Sequence, residues 1–361
     1  MFESMKKYLS VILLCCAGLA AWAQPLRLGV AGVTHDHLWG MLPAIEKGEI
    51  DVVGVWEADI RYIGDNLLTP LLPKDRFYGS LEEMLDRTHP EAVVAYGSIK
   101  QHLDVVRACA PRGIHIMVEK PLAASVKDAS EMAALARRYG ILLLTNYETT
   151  WYSSNAWVKQ RLGELGPLFR IEVYDGHEGP REIGCSERFL EWLTDPVLNG
   201  GGAVVDFGCY GANLATWLLD GREPKWVYAI LRQNKPAVYP KVDDDALIIL
   251  DYGDVSVYIG ASWCWPKGRK DMFVYGLDGH IYQQTADTVS GWIKGETIPE
   301  QSLPALEAPY NNSFRYLEAA VRGEISIGKA DTGALENNLT VVKILDAAKR
   351  SARTGKRVKL R

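Results

Sequence analysis

Short apolar strands alternate with helices from residue 26 to residue 145, and this alternation is the feature that most constrains the fold. The predicted strands are 26–33, 51–56, 92–96, 114–118 and 141–145. The predicted helices between them are 38–47, 81–85, 103–110 and 126–139. Because strands that alternate with helices re-enter the sheet in parallel, the pattern predicts a parallel sheet with helices on both faces. This domain is expected to cover residues 24–146.

The pattern changes after residue 146, where strands follow one another with turns between them. The predicted strands are 168–174, 226–232, 246–252, 256–262, 272–276 and 280–284, and the predicted helices are 154–161, 312–322 and 332–353. Consecutive strands joined by turns favour antiparallel pairing. Residues 147–361 are therefore expected to form an α/β domain with a large, mostly antiparallel open sheet. The last helix and strand are expected to pack back on the first domain.

The first 23 residues have the features of a signal peptide. Lys6 and Lys7 precede an apolar run, and Ala21-Trp22-Ala23 supplies the small residues that a signal peptidase recognises. Cleavage is expected before Gln24. The apolar run is too short for a comfortable membrane span. The sequence therefore predicts an exported, periplasmic protein without a membrane span.

Charge and cysteine content exclude several classes of partner and site. The formal net charge is −5, and no basic cluster precedes the C-terminus, which argues against nucleic acid or an anionic membrane as partner. Four cysteines follow the leader, Cys109, Cys185, Cys209 and Cys264, and none lies in a C-x-x-C pair. A zinc knuckle or a thioredoxin-type site is therefore not expected.

The turn after the first strand lies where a dinucleotide-binding fold carries G-x-G-x-x-G. Gly32 occupies the first glycine position, but Thr34 and His37 occupy the other two. His35 and His37 could ligate a metal, yet no third ligand is near them in the sequence, so no metal site is predicted. The preferred interpretation places these residues beside a pyrophosphate, at the N-terminus of the following helix.

An acidic residue also ends the second predicted strand. Glu57 lies about 25 residues beyond the first glycine of the turn, where a carboxylate can accept hydrogen bonds from the adenosine ribose. Its charge would repel a 2′-phosphate, which favours NAD over NADP. The alternative is that Glu57 is an ordinary surface residue.

The segment Glu119-Lys120-Pro121 places a carboxylate and an amine at the end of a buried strand. Ligands of open α/β sheets bind at the carboxyl ends of the strands, and burial there lowers the pKa of an amine. Lys120 is therefore a candidate acid or base. The alternative is a solvated pair of residues at the end of a strand.

A helix predicted after Gly200–Gly202 carries a second set of candidates. Asp206, Tyr210, Asn213 and Trp217 fall at i, i+4, i+7 and i+11 and share one face. A carboxylate one turn from a phenol is suited to proton transfer. The alternative is a polar surface stripe, but this stripe is mostly uncharged and carries two aromatic residues, which favours a functional role.

Together these segments resemble the Gfo/Idh/MocA oxidoreductases over nearly the whole chain after the leader. The resemblance rests on these residues: Glu119-Lys120-Pro121, His102, residues 162–166, the three glycines 200–202, Asp206 and Tyr210. It implies a Rossmann domain, then an α/β domain whose open sheet mediates assembly of a homo-oligomer, a dimer or tetramer. It also implies a nicotinamide cofactor and a sugar, polyol or glycoside as substrate.

The resemblance assigns roles to individual residues. Lys120 would contact the substrate hydroxyl or the nicotinamide ribose, Asp206 would orient the substrate, and Tyr210 would donate or accept the proton. A phenol with an ordinary pKa of about 10 needs a neighbouring cation to react at neutral pH, and Lys120 would provide it. The residues expected to bind cofactor are Gly32, Thr34, His35, His37, Glu57, Ser98, His102 and Glu119, and those expected to bind substrate are Lys120, Asn213 and His177.

This chain departs from the family pattern at the degenerate turn of residues 32–37 and at Glu148, where many members have an arginine. Export also separates an enzyme from the cellular NAD pool, so a tightly retained cofactor is expected. The predicted reaction is hydride transfer from a hydroxyl of a sugar, polyol or glycoside. The alternatives are a redox-neutral glycosidase or lyase acting through a transient 3-keto sugar, a non-catalytic sugar or dinucleotide sensor, and a metal-dependent hydrolase that uses His35 and His37.

Overall fold

Six parallel strands form the first sheet of the computed structural model, which describes residues 24–360. The strands are β1 (Leu26–Ala31), β2 (Ile50–Trp56), β3 (Phe77–Tyr78), β4 (Ala92–Ala95), β5 (His115–Glu119) and β6 (Leu143–Asn146). Their order is β3-β2-β1-β4-β5-β6, so the direction of winding reverses between β1 and β4. Ligands of such sheets bind at this switch point. The predicted signal peptide lies outside the described residues.

Helices cover both faces of this sheet, as the alternating pattern predicted. They are α1 (Leu42–Glu46), α2 (Ile60–Ile63), α3 (Leu81–Thr88), α4 (His102–Cys109) and α5 (Val126–Tyr139). The predicted helix 38–47 is instead a 3₁₀ turn, Asp36–Met41, followed by α1. Pro43 has no N–H to continue the first hydrogen-bond ladder, but it is tolerated in the first turn of a new helix.

The second sheet has nine strands and is mostly antiparallel, which confirms the predicted fold class. The strands are β7 (Leu168–Gly176), β8 (Trp226–Arg232), β9 (Asp245–Asp251), β10 (Ser256–Ser262), β11 (Arg269–Gly276), β12 (Gly279–Gln283), β13 (Thr288–Ile293), β14 (Glu296–Ser302) and β15 (Val358–Lys359). Their order is β14-β13-β12-β11-β7-β10-β9-β8-β15, and the central pair β7–β10 is parallel. The sequence did not predict β13 or β14, and β14 is an exposed edge strand that contains Pro299.

One face of the second sheet is covered by helices. The helices of this half are α6 (Ser153–Arg161), α7 (Glu187–Leu193), α8 (Ala203–Asp206), α9 (Gly208–Leu218), α10 (Ser313–Val321) and α11 (Leu335–Thr354). Gly211 of α9 lets the helix approach β10, because a Cβ there would lie 2.6 Å from the Ile259 side chain. α8, α9 and α11 pack on this face.

The C-terminal part of the chain contacts both domains. Phe314 and Leu317 of α10 pack into the core of the first sheet, and Val342 of α11 joins the core on its other face. The last strand was expected on the first domain, but β15 pairs with β8 of the second sheet. An unpaired edge at β8 makes this addition favourable.

No helix among residues 24–360 is long and apolar enough to cross a membrane. Within the same residues Cys109, Cys185, Cys209 and Cys264 are free thiols.

Candidate active site

A buried ion pair between Lys120 and Asp206 joins the two domains. Lys120 follows β5, and its Nζ donates to the Asp206 carboxylate and, at 3.1 Å, to the Asp206 carbonyl oxygen. The other carboxylate oxygen accepts from Nε1 of Trp263 at 2.9 Å. Both charged side chains are at most 7% exposed. A buried pair with this many additional hydrogen bonds fixes the orientation of both groups.

Two aromatic rings flank the ammonium group of Lys120. Its Nζ lies 5.1 Å from the ring centroid of Tyr210 and 5.7 Å from that of Phe207. The helix predicted as continuous is broken here, because α8 ends at Asp206 and α9 begins at Gly208. The break still leaves Asp206 and Tyr210 facing the same lysine, so the predicted constellation is brought together.

The charges of this cluster follow from burial and pairing. Burial is the largest single influence on Lys120 and opposes its charge, but attraction to Asp206 and Cys209 and the hydrogen bond to Asp206 together raise the pKa of Lys120, whereas burial alone was expected to lower it. Burial likewise opposes the charge of Asp206, but Lys120 lowers the pKa of that carboxyl. Burial, followed by repulsion from Glu148, raises the pKa of Tyr210 well above its usual value. The cluster thus holds an ammonium, a carboxylate and a protonated phenol.

Three further titratable groups, not predicted as site residues, lie beside this cluster. Lys270 pairs with Glu148, and its Nζ lies 5.0 Å from the ring centroid of Tyr210. Asp175 is the cross-strand neighbour of Lys270, is 1% exposed, and has one carboxyl oxygen without a hydrogen-bond partner. Burial raises the pKa of Asp175 to about 8. A carboxylate near the end of the alternating strand β7, where burial is expected, was the signal that could have identified Asp175.

The two other predicted substrate residues differ in where they lie. His177 follows β7, and its ring packs against Phe207 at 4.9 Å, which places it beside the cluster. The prediction that Asn213 binds substrate is wrong. Asn213 is fully buried and donates to the Thr332 carbonyl and to Asn337 at 2.8 and 3.0 Å, so it ties α9 to the C-terminal segment instead of facing the site.

The backbone N–H groups of the turn after β1 donate hydrogen bonds within the protein. Val33 N–H donates to the Glu57 carboxylate at 2.7 Å, and the N–H groups of Thr34 and His35 donate to the Tyr96 carbonyl oxygen at 3.1 and 2.9 Å. Gly32 is required here because its φ is 91° and a Cβ would lie 2.3 Å from the Gly97 nitrogen. The amides that a pyrophosphate would use are therefore engaged within the protein.

Helix α7 covers the same turn. Ser186, its N-cap, donates from N and Oγ to the Asp36 carboxylate at 2.8 and 2.5 Å. The rings of Phe189 and Trp192 lie 4.7 and 5.3 Å from the ring of His35, which is buried. A dinucleotide that crosses the turn in the usual way requires α7 to move.

A small cleft remains at the ends of β1, β2 and β4. Thr34, Glu57, Ser98 and Gln101 line it, and it encloses about 180 Å³. These polar side chains lie at the carboxyl ends of the strands, where the adenosine half of a dinucleotide binds in such folds. The volume is below the roughly 300–1,000 Å³ that is typical of ligand sites, so the fit again requires displacement of α7.

His102, which was predicted to bind cofactor, makes its hydrogen bond outside this cleft. It is fully buried, Nδ1 bonds to the Leu122 carbonyl oxygen at 3.1 Å, and Nε2 has no partner. Burial lowers the pKa of His102 to about 4, so the ring is neutral. His102 thus fixes the segment that follows Lys120.

Glu119 connects the turn to the end of β6. Its carboxylate lies 2.9 Å from His37 Nδ1, accepts from Asn146 Nδ2 at 2.8 Å, and lies 4.0 Å from His35 Nε2. The fold therefore supplies a carboxylate beside the two histidines, which the sequence spacing could not show.

Comparison with known families agrees with this architecture. The model described as "Oxidoreductase family, NAD-binding Rossmann fold" matches residues 44–147, and the "GFO/IDH/MocA C-terminal domain" matches residues 159–282. The chain belongs to the Gfo/Idh/MocA family. It is an oxidoreductase with an NAD(P)-binding Rossmann domain.

Individual relatives are distant. D-xylose 1-dehydrogenase (NADP(+)) 2 of Haloferax volcanii is 25% identical over 93% of this chain and 100% of its own length. Trans-1,2-dihydrobenzene-1,2-diol dehydrogenase of Bos taurus is 27% identical over 63% of this chain and 64% of that protein. Aldose-aldose oxidoreductase from Caulobacter crescentus, solved with glycerol, has the same fold at a TM-score of 0.79 and 19% identity, with 93% of this chain and 100% of that chain covered.

Proposed function

We propose that the protein transfers a hydride from a hydroxyl-bearing carbon of a sugar, polyol or glycoside to a bound nicotinamide cofactor. The observation that carries this proposal is the buried contact of Lys120 with Asp206 and Tyr210 at the domain interface. The cofactor supplies the hydride acceptor. Thr34, Glu57 and Ser98 are the residues that would hold its adenosine half.

The cluster assigns each residue a task. Lys120 is a cation that binds the substrate oxygen and stabilises negative charge that develops there. Asp206 keeps Lys120 charged and oriented. Tyr210 is held as a protonated phenol, so it can donate to the oxygen when a carbonyl is reduced. In the oxidative direction the phenol must first lose its proton, and Lys120 is the cation beside the resulting phenolate.

NAD is the proposed form of the cofactor. Glu57 places a carboxylate in the adenosine cleft, where it would repel a 2′-phosphate. The relative from Haloferax volcanii is named for NADP, so the preference needs its own test. Isothermal titration with both nucleotides is expected to give tighter binding of NAD, and Glu57→Ser is expected to reduce that preference.

Export and a retained cofactor are part of the proposal. An exported enzyme without access to a nucleotide pool must recycle its cofactor in the same site. Purified protein is therefore expected to release about one nucleotide per chain on denaturation, detected by mass spectrometry. Incubation of native protein with a panel of glycosides should then give keto products. Binding of nucleotide and sugar without any product would favour a sensor.

Asp175 favours a second candidate, a redox-neutral glycosidase or lyase. Elimination after transient oxidation needs a proton donor for the leaving group besides Tyr210. Asp175 is buried beside Lys270, and its raised pKa of about 8 keeps it protonated at neutral pH. In that scheme Asp175→Asn retains the keto product but loses cleavage of the glycoside. Equal loss of both products would argue against the assignment.

A homo-oligomer is also proposed. Ile230 and Leu247 are exposed on the outer face of the second sheet, and Phe273 stacks on Tyr282 with ring centroids 3.9 Å apart on the same sheet. An apolar face of this kind is typical of a subunit interface. Light scattering after size exclusion is expected to give a dimer or tetramer, and Leu247→Glu is expected to shift it toward the monomer.

A further inference from the structure

A buried carboxylate determines which nitrogen of His37 carries the ring proton. Glu119 is 2% exposed; burial disfavours its charge, but attraction to His37 and the hydrogen bonds from His37 and Asn146 lower its pKa. Glu119 is therefore ionised and can only accept hydrogen bonds. His37 Nδ1, 2.9 Å away, must be the protonated nitrogen. In the neutral imidazole, His37 Nε2 then has the lone pair.

The other histidines with a described ring hydrogen bond do not offer such a group. In three of them Nδ1 accepts a backbone N–H, so that Nε2 is protonated: His35, His115 and His177. His102 keeps a lone pair on Nε2 but is fully buried. The His37 side chain is 37% exposed. Of this group, His37 is the one whose free ring nitrogen a ligand can reach.

His37 lines a cavity of about 430 Å³ between α1, α10 and the ends of β4 and β6. This volume is within the usual range for small-molecule sites. The remaining lining combines aromatic and hydrogen-bonding side chains, among them Trp39, Tyr96, Trp151, Asn146, Glu148 and Asn312. Aromatic faces with converging amide and carboxylate groups suit a ring that has apolar C–H faces and hydroxyl edges.

We propose that this cavity binds a ring with neighbouring hydroxyl groups, one of which donates to His37 Nε2. Glu119 is the positioning residue that holds the imidazole in the accepting tautomer, by the same logic that orients a catalytic histidine beside a buried carboxylate. The ring can come from a free saccharide or from the ribose of a dinucleotide. The proposal does not depend on hydride transfer at Tyr210.

A metal ion is the alternative occupant of this region, because His35, His37 and Glu119 place their ligand atoms within 4.8 Å of one another. The hydrogen bonding opposes it. His35 Nδ1 accepts from the His37 backbone N–H at 3.1 Å, so His35 Nε2, the nitrogen nearest Glu119, carries a proton. A metal-bound imidazole has the opposite arrangement, with its second nitrogen donating.

Nuclear magnetic resonance of protein labelled with ¹⁵N-histidine tests the proposal. The His37 signal, assigned by its loss in the His37→Asn variant, is expected to show a protonated Nδ1 and an unprotonated Nε2. Two probe sets are then added separately, a panel of methyl glycosides and ADP-ribose. A shift of His37 Nε2 with the glycosides identifies a saccharide site, and a shift with ADP-ribose alone identifies the ribose.

His37→Asn also separates binding from folding. The asparagine amide can replace Nδ1 as donor to Glu119 but provides no acceptor where Nε2 lies, so affinity for the active probe should fall about tenfold with an unchanged thermal midpoint. His280→Asn is the matched control and should bind normally. The proposal is overturned if neither probe set shifts His37, if Nε2 is the protonated nitrogen, if the affinity of His37→Asn is unchanged, or if Zn²⁺ binds stoichiometrically to the wild type and shifts the His37 ring signals.

Discussion

The Lys120 cluster and the turn after β1 both lie at carboxyl ends of the first sheet, but they relate to the family pattern in opposite ways. At Lys120 the expected charged and phenolic groups converge across the domain interface. At the turn, two glycine positions of the nucleotide fingerprint are occupied by Thr34 and His37, and the amides bond within the protein. The groups proposed to handle the substrate oxygen are present, whereas the turn expected to receive a pyrophosphate differs from the family pattern.

This difference separates two requirements of an oxidoreductase. Proton handling needs a few groups at fixed distances, and in the proposed function the buried Lys120–Asp206 pair holds them there. Cofactor binding at the turn needs freed amides and a displaced α7. Substitutions at the first region should therefore affect turnover, and substitutions at α7 should affect the rate at which nucleotide enters.

Loss of the ammonium group at Lys120 is expected to have the largest effect. Lys120→Met removes the cation and leaves Asp206 buried and unpaired, which should cost about 3–5 kcal/mol of stability. Turnover should fall by roughly 10³-fold or more, because both the charge and the orientation of the site are lost. Steady-state kinetics and chemical denaturation measure the two effects.

The double variant Lys120→Met, Asp206→Asn separates the effect on stability from the effect on turnover. It removes both charges, so most of the lost stability should return while turnover stays low. Recovery of turnover with stability would show that Lys120 acts only through folding.

Removal of the Tyr210 hydroxyl should lower turnover with little cost in stability. Tyr210→Phe is expected to reduce kcat by about 10²–10⁴-fold, the usual contribution of a proton-transfer group. Tyr147→Phe is a matched control, since Tyr147 is also buried, packs edge-on against Tyr210, and has a hydroxyl without a partner. A similar loss of kcat in both variants would contradict the assignment of Tyr210.

Asp175 should make stability fall as pH rises. The folded protein keeps the Asp175 proton up to pH about 8, whereas the unfolded chain releases it near its ordinary value of 3.8. Between these values the folded state binds more protons, so stability decreases with increasing pH. At about 1.4 kcal/mol per pKa unit, the free energy of unfolding should fall by on the order of several kcal/mol between these two pH values.

Asp175→Asn removes this dependence. The variant should therefore gain stability relative to the wild type from pH 4 to pH 9, measured by urea unfolding at each pH. An unchanged difference across that range would place the Asp175 pKa near its ordinary value.

Substitution in helix α7 is expected to have the smallest effect, which is on the rate of nucleotide entry. Trp192→Ala removes a ring that packs on His35, so α7 should open more readily and NAD should bind about tenfold faster in stopped-flow measurements, since about 1.4 kcal/mol corresponds to tenfold. Trp292→Ala, on the outer sheet and 41% exposed, is the control. An unchanged rate would mean that nucleotide enters without displacing α7.

The elements with a strong repeating pattern were predicted well, and long-range contacts were not. Helix α5 was predicted at its observed bounds, because Ser125 caps its start and Gly140 ends it with a φ of 65°. Asp206 and Tyr210 were predicted as partners because helical spacing is local. Asp175 and Lys270 were missed as a pair, since their contact depends on the register of β7 against β11.

The same limit explains the contact that was missed at the turn and the wrong prediction for Asn213. The side chain of Glu119 meets His37 only after β5 and the turn are assembled in one sheet. Asn213 shares a helical face with Tyr210 in the sequence pattern, but the break at Phe207 and the C-terminal segment bring Thr332 and Asn337 against it. A sequence pattern shows which residues share one face of a helix or strand, but it does not show which element packs against that face.

Transfer of deuterium from the substrate carbon to the nicotinamide tests whether the protein transfers a hydride and whether Tyr210 handles the proton. Protein loaded with NAD is incubated with glycosides that carry deuterium at each ring carbon that bears a hydroxyl, and the nicotinamide is analysed by mass spectrometry. We predict deuterium in the nicotinamide with the wild type, and at least a hundredfold slower incorporation with Tyr210→Phe. Incorporation at the same rate in the wild type and in Tyr210→Phe would show that Tyr210 takes no part in hydride transfer.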